Sequence, residues 1–87
     1  MYSLVIQPSL DGNVSKLVKK DRHRYEIIMR TSLEILQDPQ HYKNLRAPLQ
    51  HLKRVHIDRS FVLTFSVDEN TKTVTLEDFD HHDKIYE

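Results

Sequence analysis

Cysteine is absent from all 87 residues, so neither a disulfide framework nor a thiolate zinc site can hold the fold together. That absence fits the cytosol. Long apolar runs are missing as well. The opening Met1-Tyr2-Ser3-Leu4-Val5-Ile6-Gln7-Pro8 is too short for a signal peptide or a membrane span, so we expect a cytoplasmic protein with no membrane contact. There is no internal repeat and no low-complexity tract. A net charge is lacking too: thirteen Lys and Arg balance thirteen Asp and Glu. Any attraction to a polyanion must therefore come from the local field rather than from the sum.

What is present describes one small domain over residues 1–87, with no room for a second core. Hydrophobic residues at 38% and charged residues at 30% argue against a disordered chain. The charge is unevenly placed. Lys16 to Arg30 carries +4, Lys43 to Arg59 carries +4, and Asp68 to Glu87 carries −5. Two basic blocks permit nucleic-acid binding without demanding it, since charge runs are usually solvated faces.

Tyr2 to Gln7 is rich in strand formers and reads as a first strand. Pro8-Ser9 and Asp11-Gly12-Asn13 are turn and helix-start signals, which leave the helix beginning at Ser9 or at Asn13. Leu10, Val14, Leu17 and Val18 then form an apolar helical stripe. Lys19-Lys20-Asp21 reads as a break. A second helix from Arg22 to Gln37 aligns Tyr25, Ile28, Met29, Ser32, Ile35 and Leu36, and Asp38-Pro39 stops it. Gln40 to Gln50 reads as loop. Leu52 to Ile57 alternates, with Val55 and Ile57 on one face and Arg54 and His56 on the other. Asp58-Arg59-Ser60 is a turn, Phe61 to Val67 a strand, Asp68 to Lys72 a turn, and Thr73 to Phe79 the last strand. Strands joined by such short turns form an antiparallel meander. The expected fold is α+β, in the order β-α-α-β-β-β, with a helical hairpin on one face of a mainly antiparallel four-stranded sheet. The opposite face, carrying Arg54 and His56, is left for solvent or ligand.

Basic residues and a histidine on one strand, followed by Asp80-His81-His82-Asp83-Lys84-Ile85-Tyr86, suit RNA cleavage without a metal. Attack by a 2′-hydroxyl needs a base, an acid for the leaving 5′-oxygen, and cations at the phosphate. Histidine serves both proton roles. Asp80 and Asp83 favour a protonated imidazole, so His82 is read as the acid and His56 as the base, with the reverse left open. For each histidine a solvated surface role weighs about as much. Arg54, Lys53 and Arg46 can clamp phosphate, or simply keep the protein soluble. Phe61 and Tyr86 can stack on bases; Phe61 also shares a face with Leu63 and Phe65, and Tyr86 can anchor the terminus. Side chains at Asp80, His81, His82 and Asp83 diverge on an extended strand, which disfavours a metal site. No cofactor is expected.

The element order, together with Leu45-Arg46-Ala47-Pro48-Leu49, Lys53-Arg54-Val55-His56-Ile57, Ser60-Phe61-Val62-Leu63-Thr64-Phe65 and His82 through Tyr86, resembles the RelE/ParE toxin superfamily over nearly the whole chain. Its YafQ- and YoeB-like ribonucleases are the nearest pattern. The resemblance implies a RelE-like, microbial-ribonuclease-like fold and an mRNA interferase, cutting mRNA either free or in the ribosomal A site and restrained by a RelB-like antitoxin. It places His56, Phe61, His82 and Tyr86 on the family's site positions, and its basic loop near Lys43 and Arg46. Glu77-Asp78 stands where many relatives carry an arginine. Ser60 replaces an acidic residue. Both departures keep two alternatives open, a ParE-like inhibitor of DNA gyrase and a catalytically silent relative.

Overall fold

Proline at position 8 opens a helix rather than a turn. Its fixed φ suits a first helical turn, where its missing N–H would have no partner anyway. The computed structural model, which describes residues 1–85, runs β1 (Ser3–Ile6), α1 (Pro8–Lys20), α2 (Arg22–Gln37), β2 (Lys53–Ile57), β3 (Phe61–Asp68), β4 (Thr73–His81) and α3 (His82–Ile85). Helix α1 thus starts ahead of both expected positions. The break after it is shorter than expected, because Asp21 alone performs both caps. Its N–H bonds the Leu17 carbonyl, and its carboxylate accepts the Arg24 N–H at 3.1 Å.

The four strands described form one mixed sheet, ordered β1-β4-β3-β2. β1 runs parallel to β4, while β2–β3 and β3–β4 are antiparallel. The helices close over one face. There Ile57, Leu63, Phe65, Val74 and Leu76 pack against Leu10, Val14, Ile28, Ile35 and Leu36. Burying each such side chain contributes about 1.5–3 kcal/mol. Ser32 sits within this layer, and its hydroxyl donates to the Ile28 carbonyl at 2.7 Å, so its burial carries no unsatisfied group. Val18 departs from the expected stripe. It is 37% exposed, because the apolar stripe of α1 ends at Leu17, where Lys16, Lys19 and Lys20 turn the helix toward solvent.

Between Thr64 and Phe65 the β3–β4 register shifts, leaving Glu77 as the extra residue of a bulge. Glu77 then accepts hydrogen bonds from Ser66 Oγ at 2.6 Å and Gln7 Nε2 at 3.0 Å. The expected loop after α2 contains a 3-10 turn, Pro39–His41. It then pairs along the free edge of β2: Arg54 N–H donates to the Lys43 carbonyl at 3.0 Å and Leu45 N–H to the Leu52 carbonyl at 2.8 Å. An edge that would otherwise be bare is covered in this way. The chain after β4 also differs from expectation, since residues 82–85 form a helical turn rather than an extended tail.

Candidate active site

Strand register decides which candidate residues meet. His56 lies opposite Val62, and Val62 lies opposite Asp80, so all three project from the face away from the helices. Two strand spacings, roughly 10 Å, separate β2 from β4 across that face. The turn into α3 closes this gap. The N–H of His82 donates to the Ser60 carbonyl at 2.7 Å, and α3 packs back on β3 and β4. The imidazoles of His56 and His82 end 5.8 Å apart between centroids, stacked with 25° between their planes.

His81, one residue earlier, projects the opposite way and meets the Phe61 ring edge-on at 5.6 Å. Asp83 sits between the two histidines. Its N–H donates to His81 Nδ1 at 3.3 Å, and its carboxylate oxygens lie 3.7 Å from His81 Nδ1 and 3.6 Å from His82 Nδ1. A protonated His82 would find a counter-charge there. Among the described residues no three His, Asp or Glu side chains converge as a metal site.

The paired rings open into a cleft of about 610 Å³, whose other walls include Arg46, Arg54, Leu45 and Ile85. The loop pairing along β2 sets one wall: it fixes Lys43 to Leu45 and so brings Arg46 into the same lining as Arg54. Glu77 and Asp78 line a neighbouring hollow of about 250 Å³ with Lys84 and Ile85. The cleft lining thus carries Arg46 and Arg54 and no carboxylate, while the carboxylates of Glu77 and Asp78 fall in the neighbouring hollow.

Of the residues singled out in the sequence, His56, His82, Arg54 and Arg46 line the cleft together. Lys43 is exposed at the start of the loop and outside the lining. Lys53 is placed elsewhere. It is 8% exposed, and its Nζ donates to the Tyr42 carbonyl and Asn44 Oδ1, each at 3.0 Å. The period of two along β2 puts it on the helix side with Val55 and Ile57, where it staples the loop instead of facing a ligand. Phe61 is also on the helix side. It stacks on Phe79 at 5.2 Å and lies under the Arg24 guanidinium at 4.1 Å. Stacking with a base at the cleft is closed to it. Tyr86 lies outside the described residues. Pro48, Leu49 and Ile85 complete the cleft without having been picked out, because apolar loop residues carry no chemical signature until the fold places them.

No family model matches the sequence. A protein of Methanocaldococcus jannaschii named "Putative toxin RelE4" is 58% identical over 86 residues, covering 99% of this chain and 92% of the relative. The fold superposes on a chain of the YoeB–YefM complex from Staphylococcus aureus with a TM-score of 0.79, at 11% identity over 94% of this chain and 98% of that one. It superposes on a chain of the RelBE2 toxin–antitoxin complex from Mycobacterium tuberculosis with a TM-score of 0.78, at 17% identity over 93% and 98%. Identity of that order over nearly all of both chains leaves one assignment, in keeping with the sheet, the hairpin and the cleft: the chain belongs to the RelE family of toxins.

Proposed function

We propose that residues 1–87 act as one unit, the toxin of a toxin–antitoxin pair, and that the cleft cleaves mRNA by internal attack of a 2′-hydroxyl. The pairing of His56 and His82 at 5.8 Å, in a cleft that Arg46 and Arg54 also line, carries this reading. One imidazole takes the proton of the 2′-hydroxyl as its oxygen bonds to phosphorus. The other gives a proton to the 5′-oxygen as the P–O5′ bond breaks. A 2′,3′-cyclic phosphate and a 5′-hydroxyl result. Arg54 and Arg46 balance the charge that builds on the non-bridging oxygens. His82, with the Asp83 carboxylate 3.6 Å from its Nδ1, is assigned the acid role and His56 the base. Both proton transfers are served by imidazole, so the reaction as drawn calls for no metal ion.

An antitoxin partner is supported by the solved relatives, which are a YoeB–YefM complex and a RelBE2 toxin–antitoxin complex. A RelB-like segment that folds as it binds would cover the cleft. Action on mRNA, with the ribosomal A site as its setting, places the protein in the cytoplasm. No helix among the described residues is long and apolar enough to cross a membrane.

The test uses the purified protein and a short RNA, compared with the same strand carrying a 2′-deoxy sugar at the cut position. Cleavage of the first only, ending in a cyclic phosphate and unaffected by a chelator, is expected. Intact RNA both free and on translating ribosomes, together with inhibition of DNA supercoiling, would replace this reading with the gyrase-directed one.

A further inference from the structure

His82 meets His56 where the chain after β4 turns back over β3, with its N–H on the Ser60 carbonyl. We propose that Arg24 and Asp58 are positioning residues that set the His56–His82 pair through the β2–β3 turn. This rests on the nuclease reading for its catalytic consequence, though not for its geometry.

Arg24 stands near the start of α2 and extends its guanidinium over the Phe61 ring at 4.1 Å. It bonds Asp21 Oδ2 at 2.9 Å on its own helix and Asp58 Oδ2 at 3.4 Å on the turn. The Arg24 side chain is 24% exposed and that of Asp58 45%, so solvent partly screens this ion pair. Its Nε, moreover, is buried with no hydrogen-bond partner, alone in this among the described residues. An unsatisfied buried donor destabilises the fold. A surface leucine or lysine would avoid that cost, and the residue's value lies instead in where it puts the guanidinium.

Two routes lead from Arg24 to the active pair. In the first, Asp58 and Arg59 adopt left-handed backbone (φ 49° and 59°), a conformation that costs a non-glycine residue energy unless its surroundings hold it. Arg24 holds Asp58 from outside the turn. The next residue, Ser60, gives its carbonyl to the His82 N–H at 2.7 Å. In the second route Phe61, fixed between Phe79 and the guanidinium, receives His81 edge-on at 5.6 Å. His81 and His82 project to opposite faces, so seating one orients the other. Releasing Arg24 from Asp58 frees the Ser60 carbonyl and the start of α3 together.

Asp58→Asn is the cleanest probe, because asparagine tolerates left-handed backbone while removing the charge. Arg24→Leu is the second, keeping an apolar cover on Phe61. Proton NMR of each variant would be read for the nuclear Overhauser contact between the His56 and His82 rings, alongside melting temperature and RNA cleavage. Expected is loss of the ring–ring contact in both variants and a fall of tenfold or more in kcat with KM within twofold. The double variant should be no worse than Arg24→Leu, since both act through one link. Retention of the ring contact in a folded Asp58→Asn protein would overturn the proposal. Should the wild-type protein cut no RNA while the ring contact is still lost in the variants, the nuclease reading fails and the positioning link stands.

Discussion

His56 and His82 stack at 5.8 Å although His56 lies on the edge strand β2 and His82 just beyond the end of β4, on the far side of β3. Their separation across a flat sheet would approach 10 Å. The pair depends on the single helical turn His82–Ile85 and on the Ser60 carbonyl that starts it. Proton transfer in both directions across one scissile bond requires both rings. His56→Ala and His82→Ala should each slow RNA cleavage about 10²–10⁴-fold, and the double variant should lose little more than either alone. Single-turnover cleavage of a labelled RNA measures this, and growth arrest on expression in cells is its biological counterpart. Full toxicity in both single variants would remove acid–base catalysis from this cleft.

Lys53 and Arg54 are adjacent, yet they should fail in different ways. Arg54→Gln should weaken RNA binding by about 10–100-fold, the worth of a charge-assisted hydrogen bond, and should flatten its salt dependence. Its melting temperature should stay near wild type. Lys53→Met should do the opposite, since its ammonium bonds Tyr42 and Asn44 and holds the loop. Affinity measured at two salt concentrations, with thermal unfolding beside it, separates the two.

Glu69 marks where stability responds to acid. Hydrogen bonds from Tyr2, Lys72 and Gln40 hold its carboxyl at about 2, below the ordinary 4.5. The Tyr2 hydroxyl donates at 2.7 Å and Lys72 Nζ at 2.9 Å. A folded-state value below the unfolded one means the contribution is complete above about 4.5 and is lost as pH falls toward 2. Urea midpoints taken from pH 7 down to 2 should fall more steeply for the wild type than for Glu69→Gln. The site is open to solvent, so the difference will be small. Identical slopes would show that these bonds do not persist in solution.

Gly12 lies mid-way along α1, and a Cβ placed there would meet nothing within 4 Å. Gly12→Ala should therefore raise stability by about 0.5–1 kcal/mol, through lower unfolded-chain entropy and better helix propensity. In the core, Phe65→Ala should cost about 3–5 kcal/mol, since Phe65 is fully buried and touches Tyr42 edge-on at 5.6 Å. Chemical denaturation measures both changes. A destabilising Gly12→Ala would mean that α1 is not helical at that point.

Periodicity and breakers were enough to place α2, the three C-terminal strands and the open sheet face, because each depends on neighbours a few residues away. The same local rules already paired Arg54 with His56 and set Phe61 beside Leu63. They could not reveal that Pro8 begins a helix, since proline suits a turn and a first helical turn equally. Nor could they reveal that residues 82–85 coil, because one turn is too short to show a period.

By itself the sequence determined the order of elements and the face on which each strand residue stands. Both follow from backbone geometry repeating every two or 3.6 residues. Tertiary structure alone decided that Lys53 would be spent on a loop and Phe61 on an arginine, and that the two imidazoles would close over a cleft. Those outcomes depend on register across β3, on the loop laid along β2, and on a carbonyl far from His82 in the chain. Nothing in local spacing encodes them, because each is a contact between segments that only the packed sheet brings together.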